Sequence, residues 1–281
     1  MQNKKSQTNS IPPFVFFGGP QISVDFLDSL KESGLVPELI VTTPDKPAGR
    51  KLVLTPPPLK AWADKNNIPT IQPRSLKKNF DDTLLQDYDL FVVVAYGKII
   101  PQSILDIPAH GSINLHPSLL PKYRGPSPIQ SAILADDKET GISLMLLDAE
   151  MDHGPVLGQK NITVSEWKKN RDMEVWFSKE GAELFLEIVP LYLEHDIFTE
   201  QNHALATECN KFEKSDMQLD PSKPRESYLK YCAFDKPFFF MGETRVIVTE
   251  AHWENDFVIT KVIPAGKKEQ EWSVFKKSRQ S

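Results

Sequence analysis

Apolar and polar positions along this chain follow two different periods. Short runs rich in apolar residues, such as "FVFFGG", "PELIVTT" and "LFVVVAYG", have the length of strands, and between them apolar residues recur at helical spacing. In "ISVDFLDSLKESG" the residues Ile22, Phe26, Leu27 and Leu30 share one side, with Gly34 as a stop. "LKAWADKNN" predicts a short helix and "PTIQ" an edge-like third strand. "LFVVVAYG" is apolar on both faces, which places it at the centre of a sheet with helices above and below. "GSINLH" is the next strand, followed by the helix "SPIQSAILADD", with Ser127 as N-cap and Pro128 in the first turn. "GISLMLLDA" and "VLGQKNITV" are strands on either side of the turn "EMDHGP". A long amphipathic helix follows, with Gly181, Leu184, Phe185, Ile188 and Leu191 as its buried stripe. This alternation predicts an α/β fold, a parallel sheet covered by helices.

Beyond this region the pattern changes. "ECNKFEKSDMQLDPSKPRE" is polar, charged and punctuated by proline, as a linker would be. After the short helix "ESYLKYCAF", the segments "PFFFMG", "TRVIVTEAHW", "DFVITKVI" and "EWSVF" read as strands of a small β-barrel-like module. The expected organisation is a disordered tail over 1–12, a catalytic domain over 13–206, a linker over 207–224 and a small β domain over 225–281.

Composition narrows the class. The chain has 281 residues, enough for two domains, and no apolar run reaches the roughly 20 residues that span a bilayer. The polar start "MQNKKSQTNS" and the short "IPPFVFFGG" lack an export pattern, so a cytoplasmic location is expected. Cys209 and Cys232 are read as reduced thiols. The net charge of -5 argues against an indiscriminate nucleic-acid coat, yet two segments run against it. "TTPDKPAGRKLVLTPPPLK" carries Lys46, Arg50, Lys51 and Lys60, and the tail from Lys261 carries Lys267, Lys268, Lys276, Lys277 and Arg279. Each is either solvated surface or a phosphate-binding patch.

The candidate chemistry lies at a strand end. In "INLHPS", Asn114 and His116 alternate to the same side, near the C-terminal end of a strand, where open parallel sheets bind their ligands. Asp152 follows the next strand in a turn broken by Gly154 and Pro155. An amide, an imidazole and a carboxylate suit acyl transfer between amines. Asn114 can donate to an oxyanion, His116 can donate a second bond or carry a proton, and Asp152 can orient His116 or take the proton of the attacking amine. Taken singly, each also reads as a turn former or a satisfied half-buried residue. The six histidines show no H-x-x-x-H spacing and no metal is expected. Ser118 lacks the G-x-S-x-G elbow of a nucleophile, and "FFGGPQ" lacks the dinucleotide fingerprint.

"INLHPSLLPKYRGPSPIQSAI" followed by "ETGISLMLLDAEMDHGPVLGQ" resembles the folate-dependent formyltransferases, whose Asn, His and Asp set matches Asn114, His116 and Asp152 here. The resemblance implies a Rossmann-like catalytic domain that binds 10-formyltetrahydrofolate as formyl donor, with no metal. Ser118, Leu119, Leu120 and Pro121 would line the folate site, and Val94, Ala95, Tyr96, Leu147 and Asp148 would meet the pterin. "FFGGPQISVDFLDSL", "TTPDKPAGRKL" and a C-terminal module entered through "KFEKSDMQLD" are similar to the branch of the family that formylates methionyl-initiator tRNA. That likeness implies an OB-like C-terminal module, shorter than in typical members, and tRNA contacts at Lys46, Arg50, Lys51, Lys267 and Lys268. A sugar amine or glycinamide ribonucleotide as acceptor, or a noncatalytic tRNA- or folate-binding module, are the alternatives. Gly19 stands where the family has a small hydroxyl residue.

Overall fold

The computed structural model describes residues 11–49, 52–77 and 80–279. The expected tail over 1–12 therefore lies almost wholly outside the described residues, as do Arg50 and Lys51. Contacts group the chain into two compact units. One comprises the described part of Met1–Pro126 with Gly141–Ile162 and Glu174–Glu208; the other comprises Ser127–Thr140, Thr163–Met173 and the described part of Cys209–Ser281.

The first unit is built on a seven-stranded sheet. Its strands are β1 (Phe14–Gly18), β2 (Leu39–Val41), β5 (Thr70–Ile71), β6 (Leu90–Val94), β7 (Ser112–His116), β8 (Glu139–Leu146) and β9 (Val156–Thr163), in the order β5-β2-β1-β6-β7-β8-β9. The strands from β5 to β7 pair in parallel and β8 runs antiparallel to β7, so the sheet is Rossmann-like and mostly parallel. Two further strands, β3 (Lys46–Ala48) and β4 (Val53–Thr55), make a separate antiparallel ribbon of exposed residues. The first basic segment thus carries ladder structure, and Gly49, at φ 68°, takes a left-handed backbone that glycine adopts without strain.

Strand alternation sends β1 residues to two different layers. Phe14 and Phe16 meet Phe185 and Phe26, with ring centroids 6.5 and 6.0 Å apart. Val15 and Phe17 pack on the other face with Val41, Phe91, Val93 and Tyr96. Helix α1 (Gln21–Glu32) covers the first face through Ile22, Phe26, Leu27 and Leu30. Two shorter helices follow, α2 (Pro58–Asn66) and the single turn α3 (Gln102–Leu105). Next comes α4 (Pro128–Leu134), with Ser127 at the N-cap position and Pro128 in the first turn, although the Ser127 side chain makes no capping bond.

The long helix is α5 (Asn170–His195). Gly181 lies against Leu115 of β7, where an added Cβ would come within 2.7 Å of the leucine side chain. The buried stripe expected on α5 holds at Leu184 and Phe185 but fails at Leu191, which is 42% exposed. A 3.6-residue helix drifts by about 20° over seven residues. That drift carries Leu191 off the buried arc, and Val189 and Tyr192 take its place inside.

In the second unit, α6 (Pro224–Ala233) accompanies an antiparallel sheet ordered β10-β11-β12-β13. Its strands are β10 (Phe238–Met241), β11 (Thr244–Trp253), β12 (Phe257–Pro264) and β13 (Gln270–Glu271). This is the small barrel-like β module expected. "EWSVF" is not a strand: only Glu271 pairs in it, and α7 (Trp272–Lys277) follows. Its apolar residues at 272, 274 and 275 fit either period. Trp272 and Phe275, three apart with rings at 5.9 Å, form a helical face that buries Phe275 and leaves Val274 55% exposed. Residues before α6 bond to the sheet through Leu219 N–H to the Phe238 carbonyl (2.7 Å) and Phe238 N–H to the Met217 carbonyl (3.1 Å). Cys209 and Cys232 form no disulfide and both are buried; burial pushes Cys232 up to about 11.

Candidate active site

β7 is buried along its whole length, so the polar residues Asn114 and His116 cannot be there for solvation. Asn114 lies beside Val93 of β6 and Met145 of β8, and His116 beside Ser143. Both are almost fully enclosed, at 8% and 4% exposure. Asp152 comes from the turn after β8 and reaches His116, with Oδ1 3.6 Å from Nδ1. Its other oxygen, Oδ2, accepts the Gly125 N–H at 2.7 Å. Asp152 has φ 51°, a left-handed backbone that Asp tolerates better than most residues.

The far side of the imidazole fixes its protons. His116 Nε2 lies 2.9 Å from the Tyr123 carbonyl, and a carbonyl only accepts, so Nε2 carries hydrogen. In the neutral ring Nδ1 is then the basic nitrogen, and it faces Asp152. A proton arriving there would lie between ring and carboxylate. To donate a bond to an oxyanion, Nε2 would have to leave Tyr123.

The other residues of the expected site separate into floor and surface. Ser118 is fully buried; its hydroxyl donates to the Lys122 carbonyl (2.6 Å), and its carbonyl accepts from the Ser143 hydroxyl (2.7 Å). Leu120 is buried, with its N–H on Ser143 Oγ at 3.0 Å, and Leu119 and Pro121 are half-buried. At the end of β6, Val94 and Tyr96 are buried while Ala95 is exposed. Burial alone pushes the Tyr96 hydroxyl up to about 12, and it has no hydrogen-bond partner among the described residues. Ala95 and Gly97 both have positive φ, and a Cβ on Gly97 would meet nothing within 4 Å. Open space therefore borders this main chain. Ser23 pins it from below, accepting the Gly19 N–H at 3.1 Å and donating to the Val94 carbonyl at 2.7 Å. A hydroxyl thus does serve the turn beside Gly19, supplied from the first turn of α1. Leu147 is half-buried, and Asp148 accepts from the Glu150 N–H (2.9 Å) and from His153 Nδ1 (2.8 Å).

Sequence reading missed several neighbours. Gln201 binds the Asp152 turn and is itself held by Arg124, and His153 stacks on His203 with centroids 4.2 Å apart. Lys98 lies near Lys46: its ammonium is held below the usual lysine range first by burial and then by the Lys46 charge. Only Lys98 left a sequence signal, a lysine directly after the glycine of "VVVAYG". Lys46, Lys267 and Lys268 are exposed. Among the described residues no group of three or more His, Cys, Asp or Glu side chains is placed to hold a metal ion, and no helix is long and apolar enough to cross a membrane.

The fold is thus of the Rossmann-like α/β class, with an amide, an imidazole and a carboxylate at the end of a central strand, where such sheets bind ligands. The formyl transferase family profile matches residues 13–189, and the chain belongs to that family. A methionyl-tRNA formyltransferase of Chloroflexus aurantiacus is 38% identical over 216 residues, covering 75% of this chain and 69% of that protein. Among solved structures, the methionyl-tRNA formyltransferase of Clostridium thermocellum superposes with a TM-score of 0.58 at 16% identity, covering 93% of this chain and 99% of that one. A sugar N-formyltransferase from Shewanella gives 0.62 at 14% identity, covering 86% and 98%. These two show the shared fold.

Proposed function

We propose that this chain transfers a formyl group from 10-formyltetrahydrofolate to the α-amine of methionyl-initiator tRNA. The observation that carries the reading is the approach of Asp152 Oδ1 to His116 Nδ1 at 3.6 Å, at the strand end that also bears Asn114. The 38% identity to a methionyl-tRNA formyltransferase supports the acceptor.

The residues divide the work as follows. Amine attack on a formyl carbon places negative charge on its oxygen, and the Asn114 carboxamide donates to that oxygen within a buried strand, where a donor counts for most. The attacking nitrogen must lose a proton; Asp152 takes it directly or through water, with His116 Nδ1 next in line. The departing nitrogen receives a proton from the same pair. Because α-amines titrate at about 7.7–8.0, little basicity is needed and positioning matters more.

The fit to a folate rests on the open space at Gly97 and on the exposed Ala95 beside it. Val94, Ala95, Tyr96, Leu147 and Asp148 would meet the pterin, and Ser118, Leu119, Leu120 and Pro121 would form the wall beside it. When bound, the folate supplies the activated formyl group. Lys46, Arg50, Lys51, Lys267 and Lys268 are the proposed phosphate contacts for tRNA, which makes the acceptor reaction salt-dependent.

The test offers purified protein labelled formyl-folate with charged initiator tRNA, with charged elongator tRNA and with amino sugars. Label is expected on the methionine of initiator tRNA. Label on an amino sugar alone would reject the acceptor, and label on none would reject transfer.

A further inference from the structure

Asp152 can serve as described only if its backbone turn is held, and the residues holding it come from two distant stretches of chain. Gln201 is buried, and its Nε2 donates to the carbonyls of both Asp152 (2.9 Å) and Gly154 (2.8 Å). Its Oε1 accepts from two nitrogens of Arg124, Nε at 3.1 Å and Nη2 at 2.7 Å. An amide whose oxygen is bound by a guanidinium has only one orientation available, with its nitrogen turned to the two carbonyls. Arg124 Nη2 also lies 2.8 Å from His203 Nδ1, which must accept because arginine only donates.

The same stretch of chain reaches the other two ends of the pair. Gly125, next to Arg124, gives its N–H to Asp152 Oδ2, and Tyr123, before it, offers its carbonyl to His116 Nε2. Tyr123 has φ 58°, a left-handed backbone that is unfavourable for a bulky residue and persists only where its surroundings impose it. Here they do: Thr207 Oγ1 accepts the Tyr123 N–H (2.8 Å), the Thr207 carbonyl accepts the Arg124 N–H (2.8 Å), and the Pro121 carbonyl accepts the Thr207 N–H (3.1 Å). Residues 121–125 and 201–207 therefore form one brace that touches His116 and Asp152 from outside.

We infer that Gln201, oriented by Arg124, is a positioning residue for Asp152 that sets the carboxylate against His116 and so governs the rate of the proton step. The inference rests on the proposed role of Asp152. It distinguishes the brace from ordinary structural support, because loss of orientation lowers turnover while leaving substrate affinity unchanged.

The experiment compares kcat and KM for formyl-folate and for charged tRNA in Gln201→Leu, Gln201→Glu, Arg124→Lys and Asp152→Asn, with unfolding midpoints measured alongside. Gln201→Leu is expected to lower kcat about 10- to 100-fold, the scale of a misplacement of about 1 Å, with both KM values within about twofold. Gln201→Glu should fall as far, since a carboxylate still accepts from Arg124 but has no hydrogen for the two carbonyls. Arg124→Lys, which keeps the charge and loses the fork, should show a smaller loss of the same kind. A normal kcat in Gln201→Glu overturns the inference, as does a raised KM at unchanged kcat in Gln201→Leu. If Gln201→Leu does not fold, Arg124→Lys decides by the same division between kcat and KM. A fully active Asp152→Asn would overturn the proposed site itself; an inactive one beside normal Gln201 variants overturns only the brace.

Discussion

Asn114 shows at the scale of one residue how a buried polar group acquires a function. An amide inside a strand that is apolar at Ile113 and Leu115 lowers stability unless something uses it. Removing the donor while keeping the strand should therefore affect chemistry more than folding. Asn114→Ala is expected to lower turnover by about 100- to 1,000-fold, with the circular dichroism spectrum and unfolding midpoint close to the parent's. Turnover within a few-fold of the parent would remove Asn114 from the reaction. The residue scale is also where the chain was most legible. Alternation in "INLH" puts Asn114 and His116 on one side, and the Gly154 turn marks Asp152. Tyr123 as the partner of His116 Nε2 had no such marker, because the contact is made by a main-chain carbonyl that every residue type possesses.

At the scale of elements, the position of β7 depends on how closely α5 approaches its other face. Leu115 points away from the Asn114 side and rests on Gly181, where a Cβ would come 2.7 Å from one methyl and 2.8 Å from the other. Gly181→Val is expected to destabilise the protein by about 1–3 kcal/mol through overpacking. Pairing it with Leu115→Ala should recover part of that loss, and urea unfolding of the three variants measures the coupling. Strict additivity of the two substitutions would show that this contact does not set the helix–sheet spacing. Periodicity located α5 and, on its buried face, Gly181, Leu184 and Phe185, but neither Val189 and Tyr192 inside it nor the drift that exposes Leu191. It could not decide between strand and helix at "EWSVF", because a segment so short satisfies both periods. There Phe275 and Trp272, with Trp272 also against Phe239 at 5.6 Å, favour the helix.

At the scale of the whole molecule, each compact unit carries its own stabilising network. In the unit that includes the C-terminal sheet, Arg225 binds Asp136 at 2.7 Å and Glu166 at 2.9 Å, residues far apart in the chain. Hydrogen bonds from Arg225 hold the Asp136 carboxyl below the usual carboxylate range, against a smaller opposing effect of burial. The folded protein thus binds this proton less tightly than the unfolded chain does. The contribution is complete above about pH 4 and is lost as pH falls through the lowered value. Asp136→Asn should cost about 1 kcal/mol at neutral pH, since the pair is partly open to solvent. The gap from the parent should close as pH falls below about 4, and thermal unfolding from pH 7 to pH 2.5 would show it. A gap unchanged at the acid end would mean that Asp136 contributes through something other than its charge.

The sequence by itself determined what depends on short-range order: the alternation of strands and helices, the polar pair on β7, the turn bearing Asp152 and the change of texture before the C-terminal module. These follow from local periodicity and turn chemistry, which act over a few residues. Only the tertiary structure decided that Asp152 faces His116 at 3.6 Å and that Gln201, held by Arg124, braces it. Those contacts join residues tens of positions apart, where no local preference operates, and their partners are fixed by burial and by the need of each enclosed donor and acceptor to be satisfied.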